Sequence, residues 1–389
     1  MNILFSWTCK INVNKGGIHR VTSVLLKAFQ RLGHNCFYMY SLDNYQTFMV
    51  DNMKGVFSYP DEFYSFLEKN QINLIIDQEA IFSSKLALII HQYALAHEIK
   101  YLAVFHNSPL IWNIIFDRSR LFEGIKEAKT FKERFRFTLM YISYPIWKRR
   151  SNNHIRKRYR IVYDNCDKLI LLSDRFISPF CKFMRMNKMP KCVGIPNPLS
   201  FEKVESPNIL LKKKKEVLIV SRLYNQEKRI NIALKIWKIL ENKGYKDWKL
   251  RIVGFGVDED KLRQQARKLN LENVIFEGCK DSLPYYKTAS LFMLTSKIEG
   301  WGLTLTESQQ NGVVPLAFDS YQSLYDIITD NYNGCIITNN DIIEYANKME
   351  WLITHPEERV RLALNGLESC KRFTVDKVIA QWVKVIENL

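Results

Sequence analysis

The chain has 389 residues, of which 47% are hydrophobic and 25% are charged. These proportions exclude an intrinsically disordered chain, and the length predicts two or three globular domains. Lys and Arg outnumber Asp and Glu by 57 to 40, and the net charge of +17 favours an anionic partner such as nucleic acid, an acidic membrane surface or a phosphorylated substrate.

The N-terminal half alternates apolar strands with helices. Residues 2–7 are predicted to form a strand, and residues 18–32 carry an apolar stripe at helical spacing that ends at Gly33. Further strands are predicted at 36–40, 73–77, 101–105 and 168–173. Because they are apolar at almost every position, these strands are typical of a buried parallel sheet.

A basic segment, residues 118–160, interrupts this alternation with 14 Lys and Arg against 3 Glu. Within it, one helical stripe is apolar, and Pro145 is expected to kink or end the helix. The stripe consists of Phe131, Phe135, Leu139, Ile142 and Ile146. Two interpretations remain open: the stripe packs into the core, or it lies on anionic lipid with Lys148, Arg149 and Arg150 near the headgroups.

Residues 194–216 contain three prolines and four consecutive lysines, which predicts a linker. Strand–helix alternation then resumes, with strands predicted at 217–221, 248–253, 274–278 and 291–295. Two such series imply two doubly wound α/β domains. Ligands of these sheets bind at the carboxyl ends of the strands, so we expect a site in a cleft between the domains.

The strand at 291–295 is followed by Gly300 and Gly302 and then by a predicted helix, residues 303–310, which Gly312 ends. Glycines allow close approach of the backbone to a ligand, and a helix start presents free N–H groups, so this turn is a candidate anion site. Glu299 and Glu307 flank it and can accept hydrogen bonds from the hydroxyls of a sugar or a ribose.

Two basic residues follow the strand at 217–221. Arg222 comes directly after the strand and Lys228 lies six residues further on. Together they can neutralise a diphosphate, although either could instead be a surface charge.

Two further motifs are weak. Asp258, Glu259 and Asp260 spell Asp-x-Asp, which binds metal in some enzymes, but here the acids open a predicted helix that ends in bases, as the helix dipole favours. The Gly-Phe-Gly at 254–256 lacks the third glycine of a dinucleotide fingerprint.

The order of these segments resembles the GT4 family of retaining, nucleotide-sugar-dependent glycosyltransferases with the GT-B fold. The resemblance is carried by residues 14–34, 166–176, 195–201, 220–229, 250–262, 274–307 and 331–338, and the Glu-x7-Glu element is its most distinctive part. The chain departs from the family at 319–326, Asp-Ser-Tyr-Gln-Ser-Leu-Tyr-Asp, where a glycine-rich loop that shapes the sugar site is common. Trp301 also replaces the commoner Phe.

The resemblance implies two Rossmann-like domains. Residues 1–200 would bind the acceptor, residues 201–370 would bind the nucleotide sugar, and residues 371–389 would form a helix that crosses back to the N-terminal domain. The implied reaction moves a sugar from a UDP- or GDP-type donor to a saccharide acceptor, often lipid-linked, in cell-envelope polysaccharide or lipopolysaccharide biosynthesis. No metal or other cofactor is expected.

The resemblance also implies roles for individual residues. Arg222 and Lys228 would bind the donor phosphates, and Glu307 would hold the ribose hydroxyls. Glu299 and the backbone of Gly300, Trp301, Gly302 and Leu303 would contact the transferred sugar and the distal phosphate. Gly16 and Gly17 would form the loop where phosphate and acceptor meet, unless they only begin a helix. His106 would lie near the reacting sugar, unless it is a packed core histidine.

The spacing of the cysteines and the N-terminal sequence indicate the cellular compartment of the protein. The eight cysteines form no Cys-x-x-Cys pair, which favours a reducing compartment over a zinc site or a disulfide framework. No signal peptide is evident, and the longest apolar run, 86–96, is too short to span a bilayer. We therefore expect a cytoplasmic protein. The resemblance to a family in which many members act on lipid-linked acceptors further implies a peripheral position on the inner face of the cell membrane.

Two alternatives to the transferase remain open. One is a protein that binds nucleic acid or anionic membrane without transferase activity, although no finger, RNA-recognition or zipper motif is present and no nucleic-acid partner is expected. The other is a GT-B nucleotide-sugar epimerase, which the Glu-x7-Glu element disfavours.

Overall fold

The computed structural model describes residues 1–7, 9–12, 16–41, 47–51, 56–58, 61–81, 84–115 and 117–389. Of the predicted loop at 8–17, residues 8 and 13–15 lie outside the described residues. By its internal contacts the chain divides into two units. The N-terminal unit comprises Met1–Pro198 and Val375–Leu389, and the C-terminal unit comprises Leu199–Thr374.

The N-terminal unit is built on a sheet whose strand order is β4-β3-β2-β1-β5-β6-β7-β8. The strands are β1 Asn2–Trp7, β2 Asn35–Ser41, β3 Thr47–Asp51, β4 Val56–Ser58, β5 Leu74–Asp77, β6 Lys100–Phe105, β7 Lys168–Leu171 and β8 Cys192–Gly194. From β2 to β8 the neighbours are parallel, with Phe5 of β1 opposite Tyr38 of β2 and Ile76 of β5. The strands β3 and β4 add an antiparallel edge that the sequence did not predict.

Helices cover this sheet. They are α1 Gly17–Arg31, α2 Asp61–Lys69, α3 Ser84–Ala94, α4 Ile111–Ile115, α5 Arg118–Glu127, α6 Phe131–Ile142, α7 Tyr144–Asn165 and α8 Ile177–Met184, with a 3-10 turn at Asp174–Phe176. Val21, Leu25 and Phe29 line the buried face of α1, as the helical spacing predicted.

The C-terminal unit has an all-parallel sheet in the order β11-β10-β9-β12-β13-β14. Its strands are β9 Lys214–Val220, β10 Lys249–Val253, β11 Val274–Gly278, β12 Ala289–Leu294, β13 Val314–Phe318 and β14 Cys335–Ile337. Its helices are α9 Asn225–Lys228, α10 Ile230–Asn242, α11 Glu259–Lys268, α12 Leu283–Thr288, α13 Leu303–Gln310, α14 Leu324–Ile327, α15 Ile342–Thr354 and α16 Pro356–Ser369, with 3-10 turns at Pro207–Lys212 and Cys370–Phe373.

The core of the C-terminal unit lies between its sheet and these helices. Val217, Leu250 and Leu291 from the strands pack with Trp237 of α10 and Met349 of α15, and all of them are fully buried. Burial of a side chain of this size contributes about 1.5–3 kcal/mol. The core therefore holds the strand ends, from which the candidate site arises, in fixed positions.

The last helix, α17 (Val375–Glu387), belongs to the N-terminal unit. Its Trp382 packs edge-on against Phe29 of α1, with ring centroids 6.5 Å apart. Among the described helices, none combines the length and the apolar character needed to cross a bilayer.

The predicted linker at 194–216 is wrong in its C-terminal part. The chain passes from one unit to the other at Pro198–Leu199, and the lysine run already belongs to the 3-10 turn and to β9. Lys213 donates hydrogen bonds to the backbone carbonyls of Tyr286 and Asn311, at 2.9 and 2.7 Å. Burial lowers the pKa of Lys213 to about 7. This run is therefore structured, because β9 is a central strand paired on both sides.

The basic segment forms α5, α6 and α7. The helix α6 ends at Ile142, and Pro145 lies in the first turn of α7, where proline is tolerated. None of the side chains of α6 is buried, and the whole apolar stripe from Phe131 to Ile146 is exposed. The core-packing interpretation of the stripe is therefore wrong: α6 contacts α5 through its other face, where the ring of Phe137 lies against Gly124.

Candidate active site

The candidate site of the C-terminal unit lies at the carboxyl ends of β9 and β12, which are neighbours in the sheet. Arg222 follows β9 and Glu299 follows β12. Because both strands are parallel, the residues that follow them emerge at the same edge of the sheet.

The backbone around Arg222 is fixed by the Gly-Phe-Gly segment. Leu223 donates its N–H to the carbonyl of Phe255 at 2.8 Å. A Cβ on Gly254 would lie 1.8 Å from the carbonyl oxygen of Ser221, so glycine is required there. This segment therefore positions the end of β9, and the guanidinium of Arg222 is exposed, 3.5 Å from the carboxylate of Glu227.

Lys228 and Glu299 form an ion pair. The Nζ of Lys228 lies 2.5 Å from Oε1 of Glu299, and the two side chains are only 14% and 16% exposed. Two predicted site residues, 71 positions apart in the sequence, are thus in direct contact. A charge pair with so little exposure is held in one geometry and is weakly screened by salt.

Arg229, the residue after Lys228, ties the start of α10 to the segment that follows β12, and it was not predicted from the sequence. Its buried guanidinium donates to the backbone carbonyls of Thr295 and Ser296, at 2.6 and 2.7 Å. Its backbone adopts the left-handed conformation, with φ of 50°, between α9 and α10. Burial lowers the pKa of Arg229 to about 10, so it remains cationic at neutral pH. In the sequence, only its position beside Lys228 marked Arg229 as a candidate, because its partners Thr295 and Ser296 follow a different strand, β12.

The N-terminus of α13 follows Glu299 directly. Gly302 precedes the helix with φ of 94°, and no side chain caps the N-terminus. The first N–H groups of a helix have no intrahelical acceptor, so the turn at Gly300–Leu303 presents donors, as the sequence predicted. The side chain of Trp301 packs edge-on against the ring of Phe373, with ring centroids 5.1 Å apart. Its predicted donor contact therefore rests on its backbone.

Glu307 lies in the second turn of α13 and is fully buried. The hydroxyl of Tyr286 donates to its Oε2 at 3.0 Å. Glu307 is thus part of the same helix as the anion site, and its contact with a ribose stays a prediction.

The Asp-x-Asp motif is engaged in local structure. Asp258 accepts a hydrogen bond from the N–H of Asn225 at 2.8 Å, and Glu259 pairs with Arg263 one helical turn later, also at 2.8 Å. Within the described part of the chain, no group of three or more His, Cys, Asp or Glu is arranged to hold a metal ion.

The remaining predicted residues, Gly16, Gly17 and His106, lie in the N-terminal unit. Gly16 precedes α1 and Gly17 is its first residue. His106 is buried after β6, with its Nε2 2.6 Å from Oε1 of Gln78. That oxygen also accepts from the hydroxyl of Thr22 at 3.3 Å. Burial lowers the pKa of His106 to about 4, so at neutral pH the ring is uncharged.

Residues 201–369 match the family model described as glycosyl transferases group 1. The C-terminal unit is a group 1 glycosyltransferase domain. This domain places the chain in the transferase class of enzymes, as the sequence predicted.

Curated relatives of this glycosyltransferase agree with the assignment. An uncharacterized glycosyltransferase of Haemophilus influenzae is 25% identical over 253 residues, which cover 63% of this chain and 70% of the relative. A Campylobacter jejuni α-1,4-N-acetyl-D-galactosaminyltransferase, whose name gives an undecaprenol-linked saccharide, is 25% identical over 230 residues, covering 59% of this chain and 62% of the relative.

Solved structures show the fold of the glycosyltransferase. Anabaena HepE, solved in complex with UDP and glucose, matches with a TM-score of 0.68 at 15% identity, covering 100% of both chains. The predicted GT-B fold, with two doubly wound Rossmann-like units, is confirmed.

The basic residues expected near lipid headgroups in this glycosyltransferase differ in their surroundings. Lys148 donates a hydrogen bond to the backbone carbonyl of Asn113 at 2.6 Å, whereas Arg149 and Arg150 are exposed. Lys148 is thus held by the protein itself, and only the two arginines extend into solvent.

Proposed function

We propose that this chain is a retaining glycosyltransferase of the GT4 type, which moves a sugar from a nucleoside diphosphate sugar of the UDP or GDP type to a saccharide acceptor. The observation that carries the proposal is the largely buried ion pair of Lys228 and Glu299 beside the uncapped N-terminus of α13, within a group 1 glycosyltransferase domain.

The chemistry of the leaving group explains this arrangement. When the sugar–phosphate bond breaks, negative charge develops on the departing diphosphate. Lys228, the exposed guanidinium of Arg222 and the N–H groups of α13 supply positive charge and donors at one edge of the sheet. Preorganised donors of this kind contribute about 100- to 1000-fold each to catalysis. In our proposal these residues stabilise the leaving diphosphate, and no divalent ion or other cofactor is needed.

The ion pair has a further consequence. Without donor, Glu299 neutralises Lys228 and keeps both side chains in position. In our proposal, phosphate oxygens share Lys228 when the donor binds, and Glu299 then accepts a hydrogen bond from a hydroxyl of the transferred sugar. Glu307 would hold the ribose, as the resemblance implies.

The acceptor side rests on the N-terminal unit. Retention by a front-face route lets the leaving phosphate take the proton of the acceptor hydroxyl, so no side-chain base is required. His106, uncharged at neutral pH, would lie near the reacting sugar, and Gly16 and Gly17 would form the loop where phosphate and acceptor meet.

The surroundings of the reaction are also proposals. The name of the Campylobacter relative gives a lipid-linked saccharide, which supports a lipid-linked acceptor and a role in cell-envelope polysaccharide or lipopolysaccharide biosynthesis. The exposed apolar stripe on α6, with Arg149 and Arg150 nearby in sequence, supports peripheral binding to the anionic cytoplasmic face of the cell membrane.

The proposal is tested by the release of nucleoside diphosphate from a panel of UDP- and GDP-sugars, with saccharide acceptors present. We expect Lys228→Ala to lower kcat/KM by at least about 100-fold, because it removes a cation from the leaving group. Lys243→Ala is the matched control, since Lys243 forms a 2.5 Å ion pair with Glu350 in the same unit and has no proposed role.

Thermal melting of each variant separates catalysis from folding. Near-normal turnover by Lys228→Ala, or an equal loss in Lys243→Ala, would refute the proposed role of the pair. The anomeric configuration of the product, read by NMR, tests retention, and release of an epimerised nucleotide sugar would favour the epimerase instead.

A further inference from the structure

The segment that follows β13 is fastened to the turn after β12. The hydroxyl of Ser320 donates to the carbonyl of Ser296 at 2.7 Å, and the hydroxyl of Ser323 donates to the carbonyl of Gly300 at 3.0 Å. The two bonds fix both ends of residues 320–323 against residues 296–300. Tyr321 lies between the two serines, in the stretch where the chain departs from the glycine-rich loop of the family.

The hydroxyl of Tyr321 is buried next to the N-terminus of α13. The residue is only 3% exposed, and its hydroxyl has no hydrogen-bond partner among the described residues. The hydroxyl lies 2.9 Å from the point where a Cβ on Gly302 would be. A side chain at position 302 would therefore collide with the Tyr321 hydroxyl. The φ of 94° at Gly302 is a second, independent reason for glycine at this position.

A buried phenol without a partner needs an explanation, since buried hydroxyl groups in proteins are almost always hydrogen-bonded. Burial, reinforced by the charge of Glu299, raises the pKa of Tyr321 well above its usual value. The group therefore keeps its proton and acts as a donor. The neighbouring N–H groups of α13 are donors as well, so this corner of the site presents donors and calls for an oxygen acceptor.

We propose that the Tyr321 hydroxyl donates a hydrogen bond to an oxygen of the distal phosphate of the nucleoside diphosphate sugar, beside the N-terminus of α13. The inference rests on the proposed function and adds a phosphate-binding residue to it. A phosphate oxygen is favoured over a sugar hydroxyl because the backbone N–H groups at the same point already select an anion.

The test compares Tyr321→Phe, which removes only the hydroxyl, with the wild-type full chain. A thermal-shift panel first selects the nucleoside base. The Kd values of its monophosphate, its diphosphate and its diphosphate sugar are then measured by calorimetry. Tyr245→Phe is the matched control, because it removes a hydroxyl of the same unit that donates to Glu350.

We expect Tyr321→Phe to raise the Kd of the diphosphate and of the diphosphate sugar equally, by about 10-fold or more, because hydrogen bonds to charged groups are strong. The Kd of the monophosphate should not change. The melting temperature of the ligand-free variant should not fall, because the hydroxyl has no partner in the free protein. If the hydroxyl were needed only for the fold, its removal would lower the melting temperature instead.

Several results would overturn the inference. An unchanged Kd of the diphosphate would remove Tyr321 from the phosphate site, and a loss confined to the diphosphate sugar would assign the hydroxyl to the sugar. If the wild-type chain bound no nucleoside diphosphate in the panel, the proposed function would fail first and the inference with it.

Discussion

Single side chains of the C-terminal unit are held by partners far away in the sequence. Lys228 reaches Glu299 across 71 positions, and Arg229 reaches Ser296 across 67. The residue types and their places after strands predicted Lys228 and Glu299 as site residues. Their direct pairing, and the hydrogen bonds that Arg229 makes beside it, depend on two strand ends meeting at one edge of the sheet, which no local pattern encodes.

His106 provides a test at this scale, because burial lowers its pKa from 6.5 to about 4. Between these values the unfolded chain binds more protons than the folded one, so the free energy of unfolding rises with pH and is lost as the pH falls. We expect the wild type to lose about 2 kcal/mol relative to His106→Gln between pH 7 and pH 5. Denaturant unfolding at both pH values measures the difference, and parallel pH dependence of the two proteins would show that His106 titrates normally.

The sequence of the helix α6 did not show what its apolar stripe contacts. Its apolar stripe has the same spacing whether it faces a core or a membrane, so periodicity alone could not choose. The structure decides between the two, because Phe137, on the other face of α6, packs against Gly124 of α5 and the stripe faces away from the protein. The N-terminus of α6 is fixed by a capping box between Thr130 and Glu133, so the stripe is displayed on a well-defined helix.

Replacement of Phe131 and Phe135 by Ser tests the membrane proposal, since Phe131 is 85% exposed in the protein and, in our proposal, buries its ring on lipid. We expect the double variant to sediment at least about 10-fold less with vesicles containing anionic lipid, because it loses apolar contact area. Arg149→Gln with Arg150→Gln should weaken binding further at low salt. Leu211→Ser, at a position 88% exposed in the other unit, is the control.

Sedimentation of the Phe131 and Phe135 variant at the wild-type level would exclude the stripe as the lipid contact. Equal binding of the wild type to neutral and anionic vesicles would exclude a contribution from the basic residues.

For the whole molecule, two series of alternating strands and helices were sufficient to predict two doubly wound units. Parallel strands need crossover helices, and that requirement is visible as a regular change of hydrophobic period. The antiparallel edge of β3 and β4 was missed because it interrupts this rule locally. Of the predicted C-terminal helix at 371–389, residues 375–389 belong to the N-terminal unit and residues 371–374 to the C-terminal unit.

Removal of divalent metal ions with EDTA tests whether the reaction of the full chain depends on a metal. In our proposal Lys228 and Arg222 supply the positive charge that the diphosphate needs, so we expect EDTA to change kcat/KM by less than about 2-fold. Loss of a catalytic metal would cost far more, because such a metal contributes several kcal/mol. A loss of 10-fold or more that Mg²⁺ or Mn²⁺ restores would contradict a metal-independent reaction.

Patterns in consecutive residues were sufficient to predict most strand positions, the helix that begins at Leu303 and the pair of glutamates around it, and the order of these elements predicted the fold class. These features are local, because period, helix breakers and short spacings are written in consecutive residues. The three-dimensional packing was needed to show which charges meet, that Glu307 is buried against Tyr286, and that Tyr321 faces Gly302. Such contacts join residues from different crossovers, and packing of the complete sheet, rather than any single segment, brings them within hydrogen-bonding distance.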